Sequence, residues 1–134
     1  MSTKLLPALY PLQLVAVADG SLLTVDHISI GTELKAPGGT TKVASTKQEL
    51  CKEWVEAFFS NRKSLIVTAT HSFLAVNGRA VTAGELTIGM KLHGDPHEVE
   101  VDGLVRIRTQ GKGVFLETAP KALYYIQGVL SCGP

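Results

Sequence analysis

Short apolar runs separated by turn dipeptides dominate this chain, and helical spacing is scarce. Leu12-Gln13-Leu14-Val15-Ala16-Val17 reads as a first strand. Asp19-Gly20 and Asn77-Gly78 are hairpin-type dipeptides between apolar runs. Pro37-Gly38-Gly39 and Gly94-Asp95-Pro96 predict loops. Leu104-Val105-Arg106-Ile107-Arg108 alternates as a half-buried strand should, with Lys112-Gly113 marking a turn after it. Val114-Phe115-Leu116 and Leu123-Tyr124-Tyr125-Ile126 predict further strands. Between Glu49 and Phe59 two readings compete. Leu50, Trp54 and Phe58 are four apart and suit a helix face. Trp, Val and Phe favour strands, however, which predicts a hairpin of Trp54 to Phe59, a turn at Ser60 to Lys63 and a partner at Leu65 to Thr68. Trp54, Phe58 and Phe59 are then core candidates. The whole pattern predicts a compact all-β domain.

The pattern also repeats. Asp19 to Leu34 aligns without a gap on Asn77 to Leu92, at a constant offset of 58 residues. Gly20/Gly78, Thr24/Thr82, Ile30/Ile88, Gly31/Gly89 and Leu34/Leu92 are identities. Val25 to Ile28 and Ala83 to Leu86 each predict a single turn before the second glycine. Two copies exclude a solenoid, which needs about three or more repeats. They point to one globular fold with two related halves.

With 134 residues, 45% of them hydrophobic, the chain can form one domain with a real core and is too apolar to be disordered. The net charge is +1, and the basic residues are scattered apart from Arg106, Arg108 and Lys112. No aromatic pattern is interleaved with them, so a nucleic-acid partner has no support. No apolar run reaches the roughly 18 residues that span a membrane. Lys4 followed by Leu5 to Ala18, ending Ala16-Val17-Ala18, has the outline of a secretion signal with a small-x-small cleavage site. A first strand is the preferred reading, because Pro7 and Pro11 interrupt the run and cleavage would cut into the repeat. No compartment is assigned. Cys51 and Cys132 are too few for a disulfide scaffold. They form one bridge, act as reactive thiols, or are simply buried.

Thr68-Ala69-Thr70-His71 is the sharpest chemical constellation. In a straight strand Thr68 and His71 would face opposite sides. If the chain turns after Thr68, the two converge. A hydroxyl with an imidazole can polarise a carbonyl and protonate a leaving amine, which suits acyl transfer. Taken alone, threonine is common in strands and a lone histidine is usually a satisfied structural residue.

The order of elements is a β segment, a repeat copy, a hairpin ending in Thr-x-x-His, a second copy and closing strands. With Ile28-Ser29-Ile30-Gly31-Thr32-Glu33-Leu34 and Thr68 to His71, this resembles the Hint family of inteins, bacterial intein-like domains and hedgehog processing domains. The closing stretch from Gly113 to Thr118 and from Tyr125 to Cys132 looks most like the hedgehog branch. The resemblance covers nearly the whole chain. It implies a flat, horseshoe-like β fold with pseudo-twofold halves, and autocatalytic cleavage or splicing. A Cys or Ser at the domain's first position attacks the preceding carbonyl, and a second nucleophile resolves the thioester or ester. Thr68 and His71 would bind the scissile peptide, and His71 would protonate the departing amine. The substrate would be the chain's own upstream segment, 1–7, with residues 8–134 forming the domain. A small thiol or other nucleophile would be the second reactant. A monomer without metal or cofactor is expected.

The sequence departs from that family pattern in places. The nucleophile position falls on Ala8, which carries no nucleophile, and Pro7 precedes it. Ala8 replaces a Cys so as to trap the precursor, or marks a variant that skips the first acyl shift, or marks a degenerate domain. The chain ends Ser131-Cys132-Gly133-Pro134 without the Asn that releases inteins. Cys132 is expected near Ala8 as a second thiol of the site. The acidic residue that activates sterol in hedgehog domains would fall near Ser45 or Thr46, neither a base, with Glu49 the nearest carboxylate. Cholesterol transfer is therefore unsupported. His93-Gly94-Asp95-Pro96-His97 raises a metal site, but loop His pairs are usually solvated and no second ligand pair stands at finger spacing. His27 is expected to cap the turn of its repeat copy. A self-processing domain is thus the first expectation, a catalytically silent Hint-derived β module used for protein binding the second, and a metal-binding or secreted adhesion domain the third.

Overall fold

A computed structural model describes residues 9–10, 13–119 and 123–132. Its elements are β1 (Leu14–Ala16), β2 (Leu22–Thr24), β3 (Glu33–Ala36), β4 (Gly39–Cys51), β5 (Trp54–Phe59), β6 (Ser64–Val67), β7 (Ser72–Leu74), β8 (Ala80–Thr82), β9 (Lys91–Leu92), β10 (Val99–Ile107), β11 (Gly111–Ala119), β12 (Leu123–Ile126) and β13 (Val129–Cys132). One-turn 3-10 segments, Val25–His27 and Ala83–Glu85, are the only helical pieces among the described residues. The domain is all-β.

One sheet runs in the order β2-β1-β12-β13-β7-β8, a second β6-β5-β10-β9 and a third β11-β4-β3. The first is nearly palindromic: two short hairpins, β1/β2 and β7/β8, flank the central hairpin β12/β13. The long strands exchange between halves. β4 pairs β11, while β10 pairs β5. One core lies between the layers, with Val15, Leu34, Leu65, Val67, Phe73, Leu92, Val101 and Ile126 all fully buried.

The two segments aligned in sequence make the same hydrogen bonds. Thr32 N–H donates to Ser29 O and Met90 N–H to Thr87 O, both at 3.1 Å. Gly31 N–H donates to Val43 O and Gly89 N–H to Val101 O, both at 2.8 Å. Gly31 and Gly89 have φ +92° and +93°, the left-handed region that a third turn position needs and that glycine adopts without strain. Thr82 and Glu85 close a capping box on the second 3-10 turn. In the first, Thr24 Oγ1 lies 2.6 Å from His27 Nδ1, a side-chain contact that leaves the backbone of that turn without a side-chain cap, contrary to the capping role expected of His27.

The hairpin of β5 and β6 forms as the residue types predicted. Three expectations need correction. Phe58 is 40% exposed: strand alternation turns Phe59 inward and Phe58 outward, over Gly103. Lys112-Gly113 is not a turn. Both lie in β11, paired with Leu50 and Glu49, because long-range pairing with β4 overrides the local glycine signal. The strand read at Leu104 to Arg108 begins earlier, at Val99, and its buried alternation sits at Val99 and Val101.

Candidate active site

The Thr68–His71 segment joins β6 to β7. The chain does turn after Thr68: His71 N–H donates to Thr68 O at 3.0 Å. Thr68 and His71 are both buried, and Thr68 Oγ1 lies 3.3 Å from Thr70 Oγ1. The second repeat copy clamps this turn from outside. Ala83 N–H donates to His71 O at 2.8 Å, and Gly84 N–H to Ala69 O at 3.0 Å. A Cβ on Gly84 would meet Ala69 at 3.4 Å, so a glycine there lets the two backbones approach.

The His71 ring is only 2% exposed. It stands edge-on to Phe73, with centroids 5.0 Å apart and planes at 71°. Its Nε2 lies 3.0 Å from Ser131 Oγ. Burial pushes the imidazole down from its ordinary 6.5 to about 3, so the resting ring is neutral at neutral pH. Ser131 sits in β13, paired with Phe73 of β7 and Tyr124 of β12. On the other side the chain arrives at Leu9, which bridges both Val67 and Val114. Leu9 N–H donates to Val114 O at 2.8 Å, and Val114 N–H returns a bond to Leu9 O at 2.9 Å. Tyr10 N–H donates to Ile66 O at 3.1 Å. The residue that follows position 8 is thereby fastened beside the last residue of β6, directly before Thr68.

Of the residues singled out from sequence, Thr68 and His71 are thus brought together. Ala8 lies outside the described residues. Cys132 ends β13, its backbone paired with Leu123 and Ser72. Cys51 is a free thiol at the far end of β4, opposite Gly111, so the two cysteines form no bridge. Partial burial, and then Glu49, push that thiol's pKa up, away from a reactive thiolate. In the His93–His97 loop, Asp95 is taken by Lys35 at 2.6 Å. Among the described residues no three His, Cys, Asp or Glu side chains gather to hold a metal. Sequence reasoning missed Ser131 as a member of the site, because nothing local links it to a ring 60 residues away. An open cleft of about 450 Å³, lined by residues that include Tyr10, Trp54, Ile66 and Lys112, does not include His71 or Ser131.

The exchanged long strands, the recurring turns and the central Thr-x-x-His turn define the Hint fold. No protein-family model and no curated protein matches the chain. Among solved structures it is similar to the gp41-1 intein, at 17% identity and TM-score 0.83, over 95% of this chain and 98% of that one. It is also similar to the bacterial intein-like domain of Clostridium thermocellum, at 17% identity and TM-score 0.85, over 97% of this chain and 100% of that one. A DnaB intein from Synechocystis matches at 13% identity and TM-score 0.85, over 96% of this chain and 99% of that one. At such identities the likeness is one of fold.

Proposed function

We propose that the chain is a self-processing Hint domain that acts at the peptide bond before residue 8 and is held uncleaved by Ala8. The observation that carries this reading is the buried Thr68–His71 turn, set between the incoming chain at Leu9 and the closing strand at Ser131. Residues 1–7 are the upstream segment and 8–134 the domain. With a thiol at position 8, sulfur attacks the carbonyl of residue 7. The C–N bond breaks, a thioester forms, and the thiol's proton ends on the departing amine. Because the resting imidazole is neutral, any proton that His71 delivers is matched by one it takes up. Thr68 supplies a hydroxyl donor for the developing oxyanion. A small thiol or another nucleophile then resolves the thioester. Proximity within one chain supplies much of the rate. The similar inteins support self-processing chemistry at this fold. The closing Val129-Leu130-Ser131-Cys132 supports a reading nearer the hedgehog branch, in which Cys132 would be a second thiol of the site.

The test is Ala8→Cys in a chain with a longer upstream segment. Dithiothreitol is expected to cleave it before residue 8, and His71→Ala in the same chain to block cleavage. A chain still intact after overnight incubation would count decisively against the proposal. Ala8 itself favours a second reading, a silent Hint-derived module used for protein binding, which predicts that intact chain.

A further inference from the structure

We propose that Ser131 is a positioning residue, whose hydroxyl donates to His71 Nε2 and so keeps the ring's own proton on Nδ1, the donor offered to the reacting peptide. The role in catalysis rests on the self-processing reading above. The proton assignment follows from satisfaction of buried groups. Ser131 is 0% exposed, and among the described residues its Oγ meets one hydrogen-bond partner, His71 Nε2 at 3.0 Å. Two polarities fit that distance. If Nε2–H donated to Oγ, the hydroxyl proton would be sealed in the core without an acceptor and would carry its full desolvation penalty. If the hydroxyl donates to Nε2, one bond satisfies both Nε2 and the hydroxyl proton, and leaves only the ring's other N–H for the reacting peptide. The neutral ring must then carry its proton on Nδ1, which has no partner among the described residues.

The surroundings hold this geometry. Ser131 is fixed on both sides, by Phe73 and by Tyr124. The ring is pinned by Phe73 at its edge, and its backbone by Ala83 and Thr68. Burial keeps the ring neutral, so it meets the hydroxyl as an uncharged acceptor. In the reaction, Nδ1 gives its proton to the leaving nitrogen. Nδ1 then takes up the replacement proton released by the thiol, while the Ser131 hydroxyl holds Nε2 throughout. The thiol loses one proton and the amine gains one.

The first readout is nitrogen NMR on the unmodified chain with 15N-labelled histidine, His71 being assigned by loss of its signals in His71→Gln. At neutral pH Nε2 is expected to resonate as unprotonated and Nδ1 as protonated. Ser131→Ala is expected to move the ring towards the Nε2–H tautomer, and Ser131→Thr to retain the original one. In the Ala8→Cys chain with a longer upstream segment, Ser131→Ala should slow thiol-dependent cleavage about ten- to a hundredfold, and Ser131→Thr by less than about threefold. A protonated Nε2 in the unmodified chain overturns the assignment. Cleavage at an unchanged rate in Ser131→Ala overturns the positioning role. The expected tautomer in a chain that never cleaves supports the assignment and overturns the self-processing reading instead.

Discussion

His71 makes the fold acid-sensitive well above the range in which the acidified carboxyls act. Its imidazole titrates at about 3 in the folded chain, because burial disfavours the cation, and near 6.5 when the chain unfolds. Between those values the unfolded state binds the extra proton, so stability falls as pH drops below 6.5 and is restored as pH rises. From pH 7 to pH 5 the linkage integral for this one group amounts to about 2 kcal/mol. That is a substantial part of a typical total of about 5–15 kcal/mol. The carboxyls that folding acidifies act lower. Asp19 is held down by Ser21 and Glu85 by Thr82, from ordinary values of 3.8 and 4.5, so the stability they lend is lost mainly below about pH 4.5. Urea unfolding at pH 7 and pH 5, followed by fluorescence of the single, buried Trp54, measures the loss. His71→Gln keeps a polar group facing Ser131 and removes the titration. The unmodified chain should lose about 2 kcal/mol more than His71→Gln over this interval, every other group cancelling in the difference. Equal losses in both proteins would refute the burial argument and, with it, the neutral resting imidazole.

Gly31→Ala and Gly89→Ala should each cost about 1–2 kcal/mol, since an added Cβ meets nothing within 4 Å and only the left-handed backbone is penalised. The two costs should match, and the double variant should add them to within about 0.5 kcal/mol, by urea unfolding. A near-zero cost at one site alone would show that the two turns are not equivalent. Phe73→Ala should cost about 3–5 kcal/mol, because the ring is fully buried against His71. Phe58→Ala, on the exposed face of β5, should cost about 1 kcal/mol or less, and the reverse order would contradict the inward–outward assignment of that strand.

The hairpin of β5 and β6 was legible because aromatic and β-branched residues fill it, and the 3-10 turns because each lies in an aligned segment. β4 was not. Of its residues only Thr41 and Val43 are fully buried, so Gly39–Cys51 shows no sustained apolar alternation. It is a strand because β11 and β3 pair with it on its two sides, which is long-range information. The same pairing drew Lys112 and Gly113 into β11 against their local turn preference. Thr68 and His71 were legible as a motif, since both lie within one turn. Ser131 was not, because a serine in a strand carries no local sign of the ring it faces. The alternation of β13 narrows the choice to one of two neighbouring polar residues, and only the packing of β13 on β7 selects Ser131.

The matching frame also confines the titratable ring to one half. At the offset of 58 residues, His71 corresponds to Gln13, and their backbones do the same work. Val25 N–H donates to Gln13 O at 2.9 Å, as Ala83 N–H donates to His71 O at 2.8 Å. The side chains diverge. Gln13 is buried, and its Oε1 accepts from Ile66 N–H at 3.3 Å, tying β6 to the chain that leads into β1. An amide in that role has no proton to trade near neutral pH. His71 instead leaves the backbone to Ala83 and turns its ring to Ser131. A symmetric scaffold thus holds a structural acceptor at one site and a titratable ring at the other. The ring lies in the half whose turn adjoins Val67, the residue that Leu9 bridges. The position that can exchange a proton is therefore the one beside the incoming chain, where a peptide bond would be presented to it.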